Sequence, residues 1–339
     1  MEGRQTAARA RAELLLNESE KQGGCLAPAS SADRRVLQRL CKNEIVEPVP
    51  GVFARRSRWQ ALPVEERMLG VMRGLAERHP AWIFCGSSAA LIHGLDVPYS
   101  LLHSIHVQAP GHAGRMPEHP VSFHSYRNVE AECVQGMMVT PFWRTVCDCL
   151  LTAPFSEALA VADSAARLQG LDRDEFVSRV TKETIRRHGR AGALHTAEWV
   201  DPRAENGGES RVRAYLIENG YELPELQVEP RDPVDRHRVY RVDFFWKIKR
   251  AGNKVDKVIG EFDGLGKYGR DGVLANGLEA RKLIDERQRE SHLTLLGFPV
   301  LRFTFHDLVA PGWLEHLLAS VGLHPGARRS VDRPLKRRC

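Results

Sequence analysis

No apolar run in these 339 residues approaches the length that spans a bilayer, which takes about 20 consecutive apolar residues. The N-terminal stretch MEGRQTAARARAELLLNESE has a basic start but only three leucines in a row. That is too short for the apolar region of a signal peptide, and no cleavage site follows. A helix in a cytoplasmic protein is expected. Cys25, Cys41, Cys85, Cys133, Cys147, Cys149 and Cys339 are scattered, odd in number and form no CxxC pair. This pattern suggests neither a disulfide framework nor a cysteine zinc site, and reads as reduced, mostly buried thiols. There is no GxSxG elbow, so Ser87 and Ser88 near His93 do not read as a serine nucleophile. His103, His106, His112, His119 and His124 fit no HxxxH spacing and only Glu118 stands among them, so they read as loop and surface histidines.

A basic core is also lacking. The chain carries a net +6, yet six basic residues against Asp332 in the tail from Pro325 to Cys339 supply +5 of it. The folded part is nearly neutral, so any basic face must come from local clustering. The tail reads equally as a phosphate-binding arm or as a solvated end. Hydrophobic residues make up 42% and charged residues 27%. Those are values for a soluble globular chain, long enough for two or three domains.

Residues 5–22 have helical spacing with Ala8, Leu14 and Leu15, and Gly23-Gly24 break it. Ser31 or Asp33 can cap a second helix striped by Val36, Leu37 and Leu40. An extended run from Ile45 to Phe53 follows, broken by Pro48 and Pro50. Helix, turn, helix and ribbon is the order of a winged helix-turn-helix, expected over 1–60. Arg34, Arg35 and Arg39 flank its second helix, and Arg55, Arg56 and Arg58 follow the wing. Those side chains can meet phosphates from two sides, or form an ordinary solvated face. An α/β middle domain is expected over 61–180. Its helices should cover Ala61–Arg78, Val139–Leu151 and Ala158–Leu168, and its strands Ile105–Val107 and Val121–Phe123. Residues 181–206 read as a basic linker, with Lys182, Arg186, Arg187 and Arg190.

The most informative stretch runs from Val239 to Tyr268. Two apolar runs, VYRVDFFW and KVIGEFDG, keep acids that a plain core strand would lose. Val239, Arg241, Asp243 and Phe245 share one face of the first, and Ile259, Glu261 and Asp263 share one side of the second. Gly252-Asn253 between them predicts a β-hairpin, which would set Asp243 beside Glu261 if the register allows. Glu209, Val212, Arg213 and Leu216 fall on one face of a preceding helix, so Glu209 can approach the same point. A buried carboxylate is costly unless paired, hydrogen-bonded or holding a metal. Converging carboxylates without equal cations suit Mg²⁺ (or Mn²⁺), held by Asp243 and Glu261. Such an ion activates water against a phosphodiester, with Lys267 placed to support the charge. The alternative is structural pairing: Asp243 with Arg241 or Arg302, and Glu261 with Lys257 or Lys267.

Two resemblances follow from these motifs. GVFA followed by FCGSSAALIHGL resembles the AbiEi family of antitoxin-type transcriptional regulators, over about residues 25–150. It implies a DNA-binding winged helix and, for an antitoxin, a nucleotidyltransferase toxin as partner. Asp243, then Glu261-x-Asp263-Gly264 and Lys267-Tyr268, resembles the PD-(D/E)XK nuclease superfamily, closest to its very-short-patch-repair-like small endonuclease branch. The following ERQRESHLTLLGFPVLRF fits as helix, glycine turn and strand, with Glu286, Arg289 and Arg302 as polar residues. This resemblance covers about 207–310 within an expected domain at 207–322, followed by a basic tail at 323–339. It implies a restriction-endonuclease-like α/β domain with a mixed central sheet and a catalytic set of Asp243, Glu261, Asp263, Lys267 and Glu209. The superfamily's lysine normally stands two residues after the acid, where this chain has Asp263. Lys267 is then a migrated substitute, or EFDG belongs to a branch using another polar group.

The expected architecture is thus multi-domain α/β, and DNA is the expected partner, with no membrane. The leading functional expectation is a metal-dependent DNA endonuclease. The other is a non-catalytic DNA-binding regulator or antitoxin whose nuclease fold is vestigial, with a cognate toxin as partner.

Overall fold

The computed structural model describes residues 2–41, 43–108, 114–115, 120–125, 130–235, 237–250, 252, 254–264, 287–289 and 291–326. Lys267, Glu286, His112, His119 and the basic residues of the tail lie outside the described residues. The chain is mixed α/β and divides into two compact units, Met1–Ala165 with Arg173–Trp199, and Ala166–Asp172 with Val200–Cys339. Among the described residues no helix is long and apolar enough to cross a membrane.

The first unit begins with helices α1 (Glu2–Lys21) and α2 (Ser31–Leu40) and the antiparallel hairpin β1 (Ile45–Val49) and β2 (Val52–Arg55). Leu26 bridges Phe53, adding a third extended segment. The order is the one expected. The buried stripe of α1 is Ala12 and Leu16, whereas Leu14 is 69% exposed. Residues four apart share a helix face, and Leu14 falls between them on the far side. The cap of α2 is Ser30, not Ser31 or Asp33: its hydroxyl accepts the Asp33 N–H at 3.0 Å. Leu37 meets Ala12, Leu16, Leu26, Ile45 and Phe53 in one small core.

The helix expected over 61–78 is α4 (Val64–Arg78), which starts later with Pro63 as its cap and follows a short helix α3 (Arg56–Ala61). Proline lacks the N–H a helix interior needs, so it sits at the start of a new helix. The next elements are β3 (Ile83–Phe84), α5 (Gly86–Ile92), β4 (Ile105–Gln108), β5 (Gly114–Arg115), β6 (Val121–His124), β7 (Glu132–Val134) and β8 (Met137–Val139). They form a six-stranded sheet in the order β5-β6-β4-β3-β8-β7. Val139 closes a strand rather than opening a helix; Pro141 caps α6 (Phe142–Thr152) after it. Helices α7 (Phe155–Gln169), α8 (Arg173–Glu183) and α9 (Arg190–Glu198) follow. The expected basic linker at 181–206 therefore contains helix. Ala193, Thr196 and Ala197 give α9 a buried face, and the chain groups with the first unit through Trp199.

The second unit is built on α10 (Gly207–Glu218), β9 (Glu225–Val228), β10 (Val242–Lys249), β11 (Val255–Asp263), helical residues 287–289 and 291–295 (α11), β12 (Val300–Thr304), α12 (Phe305–Val309) and α13 (Trp313–Ser320). Its sheet order is β12-β11-β10-β9. The first three strands are antiparallel in succession and β12 is parallel to β11, so the sheet is mixed as expected. Gly252 stands in the turn with φ +74°, a value that favours glycine. On one face Phe244, Trp246, Ile248, Phe262 and Phe303 pack with Val212 and Leu216 of α10 and with Leu314 and Leu318 of α13. On the other, Phe245 and Ile259 pack with Tyr240, Val242 and Leu293. The expected alternation holds from Phe244 to Trp246, while Val242 groups with the second cluster.

Candidate active site: a carboxylate cluster at one end of the second sheet

Hairpin register places the acids. Phe244 faces Gly260 and Phe245 faces Ile259; one step further along the same register, Asp243 lies opposite Glu261. The Phe262 N–H donates to Asp243 Oδ2 at 2.7 Å, so this acid is held where the β10–β11 ladder ends. On the other side of β11, Glu261 is paired with Arg302 and Asp263 with Thr304.

Glu209 is brought in by the start of α10. Asn206 caps that helix, its Oδ1 accepting the Glu209 N–H at 3.0 Å. This reciprocal arrangement resembles a capping box. The Glu209 carboxylate accepts from Asn206 Nδ2 at 2.5 Å, the Glu205 N–H at 2.9 Å and Gln227 Nε2 at 3.0 Å. Gly208 sits directly on the Phe262 ring: a Cβ there would lie 1.9 Å from a ring carbon. We expect Gly208→Ala to destabilise the second unit by on the order of 3 kcal/mol, the upper range for overpacking. A denaturant melt measures it, and a loss below about 0.5 kcal/mol would contradict the packing described.

The electrostatics follow from burial and crowding. Glu209 is 1% exposed and Glu261 8%. Burial pushes the Glu209 carboxyl up to about 8; the N–H donors oppose this and the nearby Asp243 adds to it. Burial pushes Glu261 up to about 7; Arg289 opposes the shift and Asp243 again adds to it. Asp243 therefore acts electrostatically on each glutamate, on Glu261 across the hairpin and on Glu209 at the start of α10. Buried carboxylates that repel one another gain protons unless a cation joins them.

Two arginines answer part of this charge. Arg289 of α11 donates to Glu261 Oε1 at 2.8 Å and to the Arg241 carbonyl at 2.6 Å. Arg302 of β12 donates to Asp263 Oδ2 at 3.3 Å. Arg289 is thus a partner of Glu261, where the structural alternative named Lys257 or Lys267. Lys267 lies outside the described residues. Among the described residues no group of three His, Cys, Asp or Glu side chains is disposed to hold a metal ion. The donor chemistry nevertheless fits a hard cation. It is oxygen only, the pair is opposed in register, and Mg²⁺ usually takes one or two carboxylates and completes its shell with water.

Two features here escape sequence reasoning. Gln227, a bond donor to Glu209, has φ +52°. Such strain in a non-glycine residue is stored where function or packing demands it. Asp232, Tyr240 and His292 form a buried triangle: Asp232 Oδ2 accepts from Tyr240 Oη at 2.6 Å and meets His292 Nδ1 at 2.9 Å. Burial alone would raise the Asp232 carboxyl, but these bonds and the N–H groups of Val234 and Asp235 hold it well below the usual carboxylate range. His292 and Arg289 are three residues apart on α11, so the triangle anchors the helix that presents Arg289 to Glu261.

In the first unit, the six candidate arginines have different surroundings. Arg35 and Arg39 are exposed on α2, and Arg34 lies 3.9 Å from Glu47. Arg55 binds Glu13 at 2.5 Å, Asn17 at 2.9 Å and also Glu20, three residues on one face of α1. Arg56 donates to the carbonyls of Cys41, Asn43 and Ile45 at 3.1, 3.2 and 3.4 Å, closing the end of α2. Arg58 is half-buried. Arg55 and Arg56 hold the helices and hairpin together, and Arg35 and Arg39 face solvent.

No family model matches the sequence. The chain is similar to two Mycobacterium tuberculosis proteins, "Uncharacterized protein MT2308" of strain CDC 1551 / Oshkosh and "Uncharacterized protein Rv2248" of strain ATCC 25618 / H37Rv. Each is 30% identical over 179 residues, covering 52% of this chain. The match spans 63% of the length of each relative, short of two thirds.

Proposed function

We propose that the second unit is a metal-dependent DNA endonuclease domain of the PD-(D/E)XK type, and that the N-terminal module delivers it to DNA. The observation that carries this reading is Asp243 opposed in register to the buried Glu261, with the buried Glu209 acting on the same aspartate. A scaffold with no use for a cation has little reason to assemble such a cluster. The order of helix, antiparallel strands, helical segment and parallel strand supports the same reading. Asp243 and Glu261 would hold Mg²⁺ or Mn²⁺, which would supply an activated water and charge neutralisation at a phosphodiester. Asp243 is fixed by the Phe262 N–H, and Glu209 is fixed by Asn206 and Gln227. Arg302, registered beside Glu261 and bonded to Asp263, offers a cation near the place where the superfamily keeps its lysine; Lys267 remains the sequence's own candidate. Arg289 must release Glu261 for both ligands to be available.

The helix–helix–hairpin order of residues 1–60 supports a winged helix, with Arg35 and Arg39 as its phosphate contacts. Replacing both by alanine should weaken DNA binding. It should also flatten the salt dependence by about two units of slope, near 0.9 per lost phosphate contact. Arg55→Ala should instead lower stability by about 2 kcal/mol, since it strips a charged hydrogen-bond partner from Glu13 and Glu20. Gel shifts across a salt series, with thermal melts alongside, separate the two effects. An unchanged slope for the double variant would remove α2 from the DNA contact. The catalytic half is tested by cleavage of plasmid DNA with Mg²⁺.

A second reading is a DNA-binding regulator or antitoxin with a vestigial nuclease fold and a toxin partner. The ion pairs Arg289–Glu261 and Arg302–Asp263 favour it, because they answer the acids without a metal.

A further inference from the structure

The first unit holds a cavity of about 530 Å³ that the proposed DNA chemistry does not use. Its volume lies in the range of small-molecule sites, about 300–1,000 Å³. One wall is formed by the parallel strands β4 and β6, where Gln108 faces His124 and Val107 faces Phe123. The rings of His106 and His124 meet there, Nδ1 to Nε2 at 2.8 Å, so one ring donates to the other. His106 is further held from the backbone, its N–H donating to the buried Ser88 hydroxyl at 2.8 Å.

The opposite wall is charged. Asp148 of α6 is buried and its carboxylate accepts from two arginines, both oxygens from Arg144 Nε at 3.0 Å and Oδ1 also from Arg187. Arg187 and His188 line the cavity from the turn after α8. That turn is forced. Arg186 has φ +57°, and Gly189 has φ +82° with no room for a Cβ, which would lie 2.2 Å from the Leu151 carbonyl oxygen. Non-glycine residues in the left-handed region cost about 1–3 kcal/mol and concentrate at ligand clamps. The turn sets Arg187 and His188 in the cavity wall.

The titratable and charged groups that line the cavity with the histidine pair are Asp148, Arg187, His188 and Cys149. Burial holds the Cys149 thiol protonated, and Arg144, bonded to Asp148 from outside the lining, answers that carboxylate together with Arg187. Leu101, Leu151 and Pro154 complete the lining with apolar surface. We propose that this cavity binds a small organic oxyanion, its anionic end on His106, His124 and Arg187 and its apolar body against the leucines. The site stands apart from the acid cluster of the second unit and does not depend on the nuclease reading. Burial lowers the affinity of His124 for its proton, with Asp148 opposing. An anion reverses that balance, so binding should take up a proton and tighten in mild acid.

The test titrates the full chain, by calorimetry and protein-observed NMR, with phenyl phosphate, benzoate, inorganic phosphate and benzyl alcohol, at about pH 6 and about pH 8. Binding of phenyl phosphate or benzoate is expected at low-millimolar levels or tighter, about tenfold stronger at the lower pH. The two arms tell a phosphate head from a carboxylate head. His124→Gln should lose most of the pH dependence, and Arg187→Lys should weaken the anion in a chain that keeps Asp148 paired. The proposal is overturned if neither anion binds at about 10 mM. It is equally overturned if benzyl alcohol binds as well as the anions, or if inorganic phosphate alone binds and the organic body adds nothing.

Discussion

Asp243→Asn is expected to lower Mg²⁺-dependent DNA cutting by at least about 100-fold. Changing a residue that merely supports a metal ligand already costs about 10–100-fold, and Asp243 is placed as a ligand itself. It lies opposite Glu261 in the hairpin register and is electrostatically coupled to both glutamates. Asparagine keeps an oxygen to accept the Phe262 N–H. Alanine would leave that donor unsatisfied, at a cost of about 1–3 kcal/mol, and would confuse stability with chemistry. DNA affinity in EDTA should stay unchanged, because the DNA contacts are assigned to α2 in the other unit. Parallel cleavage and gel-shift assays on one preparation measure both. An Asp243→Asn protein that cuts as fast as the parent removes this residue from the site.

The second large effect is on stability. Glu209 and Glu261 have pKa values pushed up to about 8 and about 7 from the ordinary 4.5. Between about pH 5 and pH 8 the folded protein therefore binds more protons than the unfolded chain. Stability must fall as pH rises through that window, each glutamate contributing about 1.4 kcal/mol for every unit by which its pKa is raised. Added Mg²⁺ should reverse the loss in the alkaline half and do little below about pH 5, where both glutamates are protonated in either state. Glu209→Gln cannot ionise and should flatten the slope. Urea melts across pH, with and without Mg²⁺, measure this. A slope that Glu209→Gln leaves unchanged would mean that the crowding lies elsewhere.

Much of the acid cluster was legible because it rests on short periodicities. The hairpin turn at Gly252-Asn253 and the two-residue alternation set Asp243 against Glu261. The helical spacing of Glu209, Val212, Arg213 and Leu216 showed its buried face. What stayed hidden depends on contacts far apart in the chain or on unusual backbone. Arg289 reaches Glu261 across 28 residues and His292 reaches Asp232 across 60; no local pattern encodes either. Gln227 reaches Glu209 from a left-handed backbone in β9, a conformation that its side chain does not announce. In the first unit, the arginines looked alike as a basic set. Only tertiary contacts separate Arg55, clamped on α1, from Arg39, exposed on α2. The histidines of β4 and β6 likewise read as scattered until the parallel pairing of the strands brought His106 to His124.

The central claim is that the acids of the second unit serve a metal-dependent nuclease. The most direct measurement incubates the full chain with supercoiled plasmid in Mg²⁺, in Mn²⁺ and in EDTA, and follows nicking and linearisation over time. The account predicts cutting in either metal and none in EDTA. DNA that is bound equally in all three and never cut would contradict it, and would leave the regulator reading in its place.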